Sequence, residues 1–167
     1  LKIQGELIHT LYRTGKKTNA KKFILDRLES SFKDIEKAYI ALSEGIERKE
    51  HYPKGADWLL DNFYFIELTY KKLRNAIKKE RNIILNIANK DIYKGYPRVY
   101  ALAVELINHS KGNITEDGLI DFVNQFQKEE VLSLDEVAFF PSFIILGLIE
   151  YIKNISSNLL DVKLKWK

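Results

Sequence analysis

The sequence has no cysteine and no methionine, and its 167 residues include only three prolines and eight glycines. The lack of cysteine excludes disulfide bonds, thiolate zinc sites and a cysteine nucleophile. Since not even the first residue is Met, we interpret the sequence as a segment of a longer protein. A composition of 46% hydrophobic and 30% charged residues is typical of a soluble globular protein, and it excludes disordered, collagenous and membrane-spanning classes.

Charge of either sign is concentrated in separate stretches, although the net charge is only +4. Residues 71–98 contain nine basic and two acidic residues, whereas residues 99–150 contain nine acidic and two basic ones. Two such stretches, of +7 and −7, favour pairing within the fold or across an interface, and we predict no nucleic-acid partner. An acidic lipid surface facing the lysines of 71–79 is an alternative that the sequence leaves open.

Apolar residues recur at spacings of three and four over most of the chain, which predicts amphipathic helices. One long helix follows Thr18 or Asn19 as N-cap, and a second begins near Gly55, with Trp58 and Phe65 broadening its apolar face. Further helices follow Pro97, Thr115 and the Ser133–Glu136 capping box, and Pro141 should kink or divide the last of them. Residues 81–92 are interpreted as another short helix or an irregular extension.

We therefore predict an all-α fold, a helical bundle of about six or seven helices, several of them long and amphipathic. Its domains would be an uncertain N-terminal segment (1–18), a single all-α domain (19–160) and a tail (161–167). No β-hairpin signal is visible. The apolar run of residues 137–149 is shorter than the roughly 20 residues that a membrane span needs.

Sequence motifs for chemistry are few. Neither G-x-G-x-x-G nor G-x-x-x-x-G-K occurs, which argues against a nucleotide cradle. Glu105 and His109 lie four residues apart on one helix, but a zinc site needs three or four ligands and no further ligand motif is evident. Glu67 and Glu150 have apolar neighbours in sequence, which could make either a general acid, yet pairing with a basic residue is favoured. We predict no catalytic residue, no metal and no cofactor.

Two strings of residues resemble a known family. The strings W-L-L-D-N-F-Y from Trp58 and G-Y-P-R-V-Y from Gly95, followed by L-S-L-D-E from Leu132, resemble a region of the cyclic β-1,2-glucan synthases. The resemblance covers roughly residues 55–153. These synthases are large multidomain membrane proteins that build β-1,2-glucan from UDP-glucose. Their transferase motifs, D-x-D and Q-x-x-R-W, do not occur in this sequence.

The resemblance implies a noncatalytic accessory or scaffold domain of a glycosyltransferase, on the cytoplasmic side of a membrane. Its partners would be other domains of the parent synthase, with β-glucan as a candidate ligand and the membrane surface close by through the parent.

The residues shared with that family have both a packing and a binding interpretation. As packing residues they would brace one helix on another, with Arg98 paired to Asp61, Glu67 or Glu150. As binding residues they would form a glycan-binding or catalytic pocket around Trp58, Asp61, Glu67 and Arg98. The candidate binding residues are Trp58, Asp61, Asn62, Tyr64, Glu67, Tyr96, Arg98 and Tyr100. The packing interpretation is favoured.

Overall fold

The computed structural model describes residues 16–48, 51, 53–89 and 91–165, and it is mostly α-helical, as predicted. The elements of these residues, in chain order, are β1 (Lys17–Asn19), α1 (Lys21–Glu47), α2 (Ala56–Lys79), β2 (Ile84–Asn86), α3 (Arg98–Ser110), α4 (Glu116–Glu129) and α5 (Leu134–Lys165). A 3-10 turn, Asp91–Tyr93, precedes α3. The described residues thus form five α-helices, fewer than the six or seven predicted.

The chain divides into two compact units. Unit 1 contains the described residues of 1–24 and 80–148, and unit 2 contains those of 25–79 and 149–167. Helices α1 and α5 contribute to both units. The single domain over residues 19–160 stays a prediction.

A two-stranded antiparallel sheet in unit 1 corrects the interpretation of residues 81–92. Strands β1 and β2 pair Lys17 with Asn86 and Asn19 with Ile84. The sequence did not indicate these strands, because each has only three residues and their partners are far apart in the chain. Asn19 joins the sheet to α1, since its side-chain oxygen accepts hydrogen bonds from the backbone N–H of Lys21 at 3.2 Å and of Ile83 at 3.1 Å.

The predicted helix starts are confirmed at α4 and α5. Thr115 Oγ1 accepts a hydrogen bond from the Gly118 N–H at 3.1 Å, and Ser133 Oγ accepts one from the Glu136 N–H at 3.2 Å. Pro141 does not divide α5, which continues through it. Because Pro141 is exposed, water can hydrate the carbonyl that loses its hydrogen bond there.

The end of α5 includes residues 161–165, which were predicted to belong to a tail. Lys163 in this last stretch is only 6% exposed, and its Nζ donates a hydrogen bond to the Ala41 carbonyl within unit 2.

The predicted apolar stripes form the buried cores of the units. In unit 2, Ile35 and Leu42 of α1 are fully buried, as are Leu59 and Ile77 of α2 to within 1%. In unit 1 the buried core includes residues of α3, α4 and α5 (Val99, Leu102, Leu106, Phe122, Phe126 and Phe143), together with Ile24 of α1 and Leu85 of β2. No helix among the described residues has both the length and the apolar character to cross a membrane.

Candidate functional site

The eight candidate binding residues belong to two groups, one in each unit. Trp58, Asp61, Asn62, Tyr64 and Glu67 lie on α2 in unit 2, whereas Tyr96, Arg98 and Tyr100 lie at the start of α3 in unit 1. The two groups differ in exposure and in what their side chains contact.

Arg98 is the centre of a buried cluster in unit 1. Its side chain is 1% exposed, and its Nε and Nη2 bind the two carboxylate oxygens of Glu136 at 2.5 and 2.7 Å. Nη2 also donates to the Val131 carbonyl at 3.0 Å, and Nη1 lies 3.4 Å from a carboxylate oxygen of Glu130. This two-pronged geometry uses the planar guanidinium for a paired contact that a lysine could not make.

Glu136 has two roles at once. Its side chain is 0% exposed, and besides binding Arg98 it accepts a hydrogen bond from the Ser133 N–H at 2.7 Å. Burial opposes its ionisation, but hydrogen bonds from Arg98, Ser133 and Asn86 outweigh burial and hold the pKa of Glu136 below its usual value. The capping box of α5 is therefore joined to the buried ion pair, and the two features support each other.

The partners predicted for Arg98 were wrong. Glu67 instead binds Lys71, four residues further along α2, at 2.6 Å, and Glu150 binds Arg27 at 2.7 Å. Glu136 was missed as a partner because it lies 38 residues from Arg98 and its capping role already accounted for it. One feature of the sequence indicates that Arg98 is paired inside the fold: it is a charged residue at the start of a helix whose neighbours are apolar.

The two tyrosines of this group pack against aromatic residues within unit 1. The Phe23 ring lies 5.1 Å from both Tyr96 and Tyr100, centroid to centroid. Tyr100 is 4% exposed and also lies 6.3 Å from Phe143. These are the tilted and edge-on arrangements that aromatic pairs prefer, so both tyrosines serve the packing of unit 1.

The α2 group presents aromatic rings to solvent. Trp58 is 50% exposed, Tyr64 72% and Phe65 70%, and Leu68 beside them is 49% exposed. Trp58 and Phe65 therefore do not broaden the buried face as predicted. Trp58, Asp61, Phe65 and Leu68 follow one another at spacings of three and four, which places them on one side of the helix. We call Trp58, Asp61, Tyr64, Phe65 and Leu68 the α2 face.

One member of the α2 face, Tyr64, adjoins a row of stacked rings inside unit 2. Tyr39 stacks on Phe63 at 3.9 Å, and Phe32 stacks on Tyr70 at 4.1 Å. Tyr64 meets Tyr39 edge-on at 6.3 Å, and the hydrogen bond between their hydroxyls is the main reason why the pKa of Tyr64 is raised. The Asn62 side-chain amide donates to the Trp58 carbonyl, one helical turn earlier, at 2.7 Å.

The predicted Glu105–His109 pair is present but has no third metal ligand. His109 Nε2 lies 3.8 Å from a Glu105 oxygen, and the Tyr93 hydroxyl donates to the other oxygen at 3.0 Å. Burial, with the Glu105 carboxylate second, raises the pKa of Tyr93. No group of three or more potential ligands occurs in the part of the chain that the structure describes.

Comparison with known proteins gives one relevant similarity. The cyclic β-(1,2)-glucan synthase NdvB of Rhizobium meliloti is 28% identical to this chain over 127 residues, or 74% of the chain. The match spans 4% of that synthase. This chain is similar to a small part of a glucan synthase. No protein-family model matches the chain, and no solved structure matches it.

Proposed function

We propose that the chain is a noncatalytic helical accessory domain of a protein resembling the cyclic β-1,2-glucan synthases. The observation that carries this proposal is the 28% identity over 127 residues. In this function the chain would brace neighbouring domains of a glycosyltransferase that uses UDP-glucose, at the cytoplasmic side of a membrane.

The internal contacts of unit 1 support the structural part of the proposal. Arg98, the charged residue of the G-Y-P-R-V-Y string, is 1% exposed and bound to Glu136. Tyr100 of the same string is 4% exposed. The Arg98 contacts hold the start of α3 against the end of α4 and the start of α5, which favours a structural role for the string over ligand binding.

A segment exchange tests this function. The part of the Rhizobium meliloti synthase that aligns with this chain would be replaced by the chain, and synthesis of β-1,2-glucan from UDP-glucose measured in membranes. We expect synthesis to persist with the exchange and to be lost with an exchanged segment carrying Arg98→Ala. Synthesis that is lost although the exchanged protein folds and inserts normally would contradict the proposal, as would turnover of UDP-glucose by the chain alone.

A second candidate, glycan binding, is favoured by the α2 face. Exposed aromatic rings next to a carboxylate combine the flat apolar surface and the hydrogen-bond acceptor that a sugar ring can use. Trp58, Tyr64 and Phe65 supply the rings, and Asp61 supplies the acceptor. The buried Arg98 is not part of this surface, so the binding surface would be smaller than the pocket predicted from sequence.

Titration with β-1,2-linked gluco-oligosaccharides tests the second candidate. Trp166→Phe leaves Trp58 as the only tryptophan, so that its fluorescence reports on the α2 face. We expect saturable quenching or enhancement that disappears in Tyr64→Ala or Asp61→Ala, and no change with β-1,4-linked oligosaccharides of equal length. An unchanged spectrum at millimolar oligosaccharide would remove this candidate.

A further inference from the structure

The first half of α5 carries apolar side chains that the core of unit 1 leaves exposed or covers only in part. Leu134 is 90% exposed and Val137 is 50% exposed. Ala138 and Pro141 are also exposed, and Ile145 and Leu148 are half-buried. We call these residues the α5 stripe: Leu134, Val137, Ala138, Pro141, Ile145 and Leu148.

The α5 stripe has the spacing of a helix-to-helix contact. Its residues follow one another at intervals of one, three and four, on one side of the helix. The opposite side already packs in the core, where Glu136, Phe140 and Phe143 are buried. An apolar stripe at this spacing is the surface against which a second helix would pack.

The arrangement of the stripe indicates which helix would cover it. Leu134 and Leu148 lie seven residues on either side of Pro141, and Val137 and Ile145 lie four residues on either side. A two-fold axis at Pro141 would therefore match leucine with leucine and valine with isoleucine. Such self-matching is what an isologous contact between identical chains requires. We propose that the α5 stripe is a dimer surface, on which α5 of a second copy packs antiparallel across a two-fold axis at Pro141.

Electrostatics favour the antiparallel direction. No member of the stripe is charged, and of the two acidic residues in the first turn of α5 only Asp135 is exposed. Antiparallel packing separates the two Asp135 carboxylates along the helix by about 12 positions, or about 18 Å, whereas parallel packing would place them side by side. Antiparallel helices also avoid the repulsion of aligned helix dipoles.

The size of the stripe sets the expected affinity. Its 15 positions, 134–148, extend over about 21 Å of one helix. The area that such a stripe can bury is smaller than the roughly 800 Å² per partner of a standard interface. Association should accordingly be weak, with a dissociation constant in the range of about 1–100 μM.

Sedimentation velocity over a range of concentrations from about 1 μM to 1 mM tests the dimer. We expect the wild-type chain to pass from monomer to dimer in this range and Leu134→Glu to raise the dissociation constant at least about tenfold. A glutamate in the first turn suits the helix dipole, so the variant should keep its helix content in circular dichroism. Ile92→Glu is the matched control, because Ile92 is 80% exposed in unit 1 but outside the stripe.

Two outcomes would overturn the proposal. If the chain stays monomeric at 1 mM, the α5 stripe is not a dimer surface and would have a different partner. Equal weakening by Ile92→Glu and Leu134→Glu would place the contact elsewhere or make it nonspecific.

Single cysteines test the direction of packing, because the chain has no cysteine of its own. Under mild oxidation we expect Pro141→Cys to form a disulfide-linked dimer, since residue 141 faces its own copy at the axis. Leu134→Cys should not crosslink with itself, because antiparallel packing separates the two positions by about 21 Å. A mixture of Leu134→Cys and Leu148→Cys should crosslink. Self-crosslinking of Leu134→Cys as fast as that of Pro141→Cys would contradict the antiparallel arrangement.

Discussion

The two strings that resemble glucan synthases differ in how the fold uses them. In unit 1 the G-Y-P-R-V-Y string is largely buried, with Arg98 at 1% and Tyr100 at 4% exposure. In unit 2 the W-L-L-D-N-F-Y string exposes Trp58 at 50% and Tyr64 at 72%. Internal contacts account for the residues of the first string, whereas they leave the exposed rings of the second without a complete explanation.

This difference in exposure allows a structural role to be separated from a binding role. A buried ion pair is needed for stability, because removing one partner leaves the other charged and unpaired inside the fold. An exposed ring gains little from the fold and keeps apolar surface in water. Substitutions in unit 1 should therefore act on stability, and substitutions on the α2 face should act on binding.

The largest expected effect is that of Arg98→Ala. It leaves the buried Glu136 carboxylate without its main partner, and we expect the free energy of unfolding to fall by about 3–5 kcal/mol. Urea unfolding followed by circular dichroism measures this loss. Arg98→Lys, which keeps the charge but not the two-pronged contact, should recover only part of it. A loss below about 1 kcal/mol for Arg98→Ala would mean that the cluster does not brace unit 1.

A smaller loss is expected from Phe63→Leu, which removes the buried ring of the second string. Leucine keeps the apolar character but ends the stacking on Tyr39 at 3.9 Å, and we expect a loss of about 1–2 kcal/mol. Phe122→Leu is the control, because Phe122 is equally well buried and has no ring partner among the described residues. Equal losses in the same urea experiment would show that burial matters and stacking does not.

Acid should weaken unit 1 through Glu136. Because the pKa of Glu136 lies below that of a glutamate in the unfolded chain, about 4.3, the unfolded chain takes up this proton first as the pH falls. The stabilisation is therefore present above pH 4.3 and is lost as the pH falls through the lower pKa of the folded state. Urea unfolding at several pH values should show a steeper decline below about pH 4 in the wild type than in Glu136→Gln. Parallel declines would contradict this role of Glu136.

Local sequence signals predicted the helices but not all of their partners. The 3-4 spacing of apolar residues placed α1 and α2, and the capping residues Thr115 and Ser133 placed the starts of α4 and α5, because each depends on neighbours within a few positions. The β1–β2 pair and the Arg98–Glu136 contact join residues far apart in sequence. No local pattern encodes such contacts, so the sequence could not predict them.

The sequence also could not predict which aromatic side chains of α2 are exposed to solvent. Trp58 and Phe65 lie near the edge of an apolar stripe, where the same pattern suits a wide buried face or a narrow one. How far the neighbouring helices cover α2 decides between these, and the structure leaves Trp58 50% and Phe65 70% exposed. The candidate binding residues on α2 stay a prediction, whereas Arg98 is bound to Glu136 in the core of unit 1.

The smallest effect on stability is expected from Phe65→Ala on the α2 face. Phe65 is 70% exposed, so the fold loses little buried area, and alanine offsets that loss through its higher helix propensity. We expect the free energy of unfolding to change by no more than about 0.5 kcal/mol in the urea experiment. A loss above about 2 kcal/mol would make Phe65 a packing residue and end the distinction between the two strings. Unchanged stability together with weaker oligosaccharide binding would instead show that the α2 face is kept for contact with a ligand, because the fold alone gives no reason for a large ring at that position.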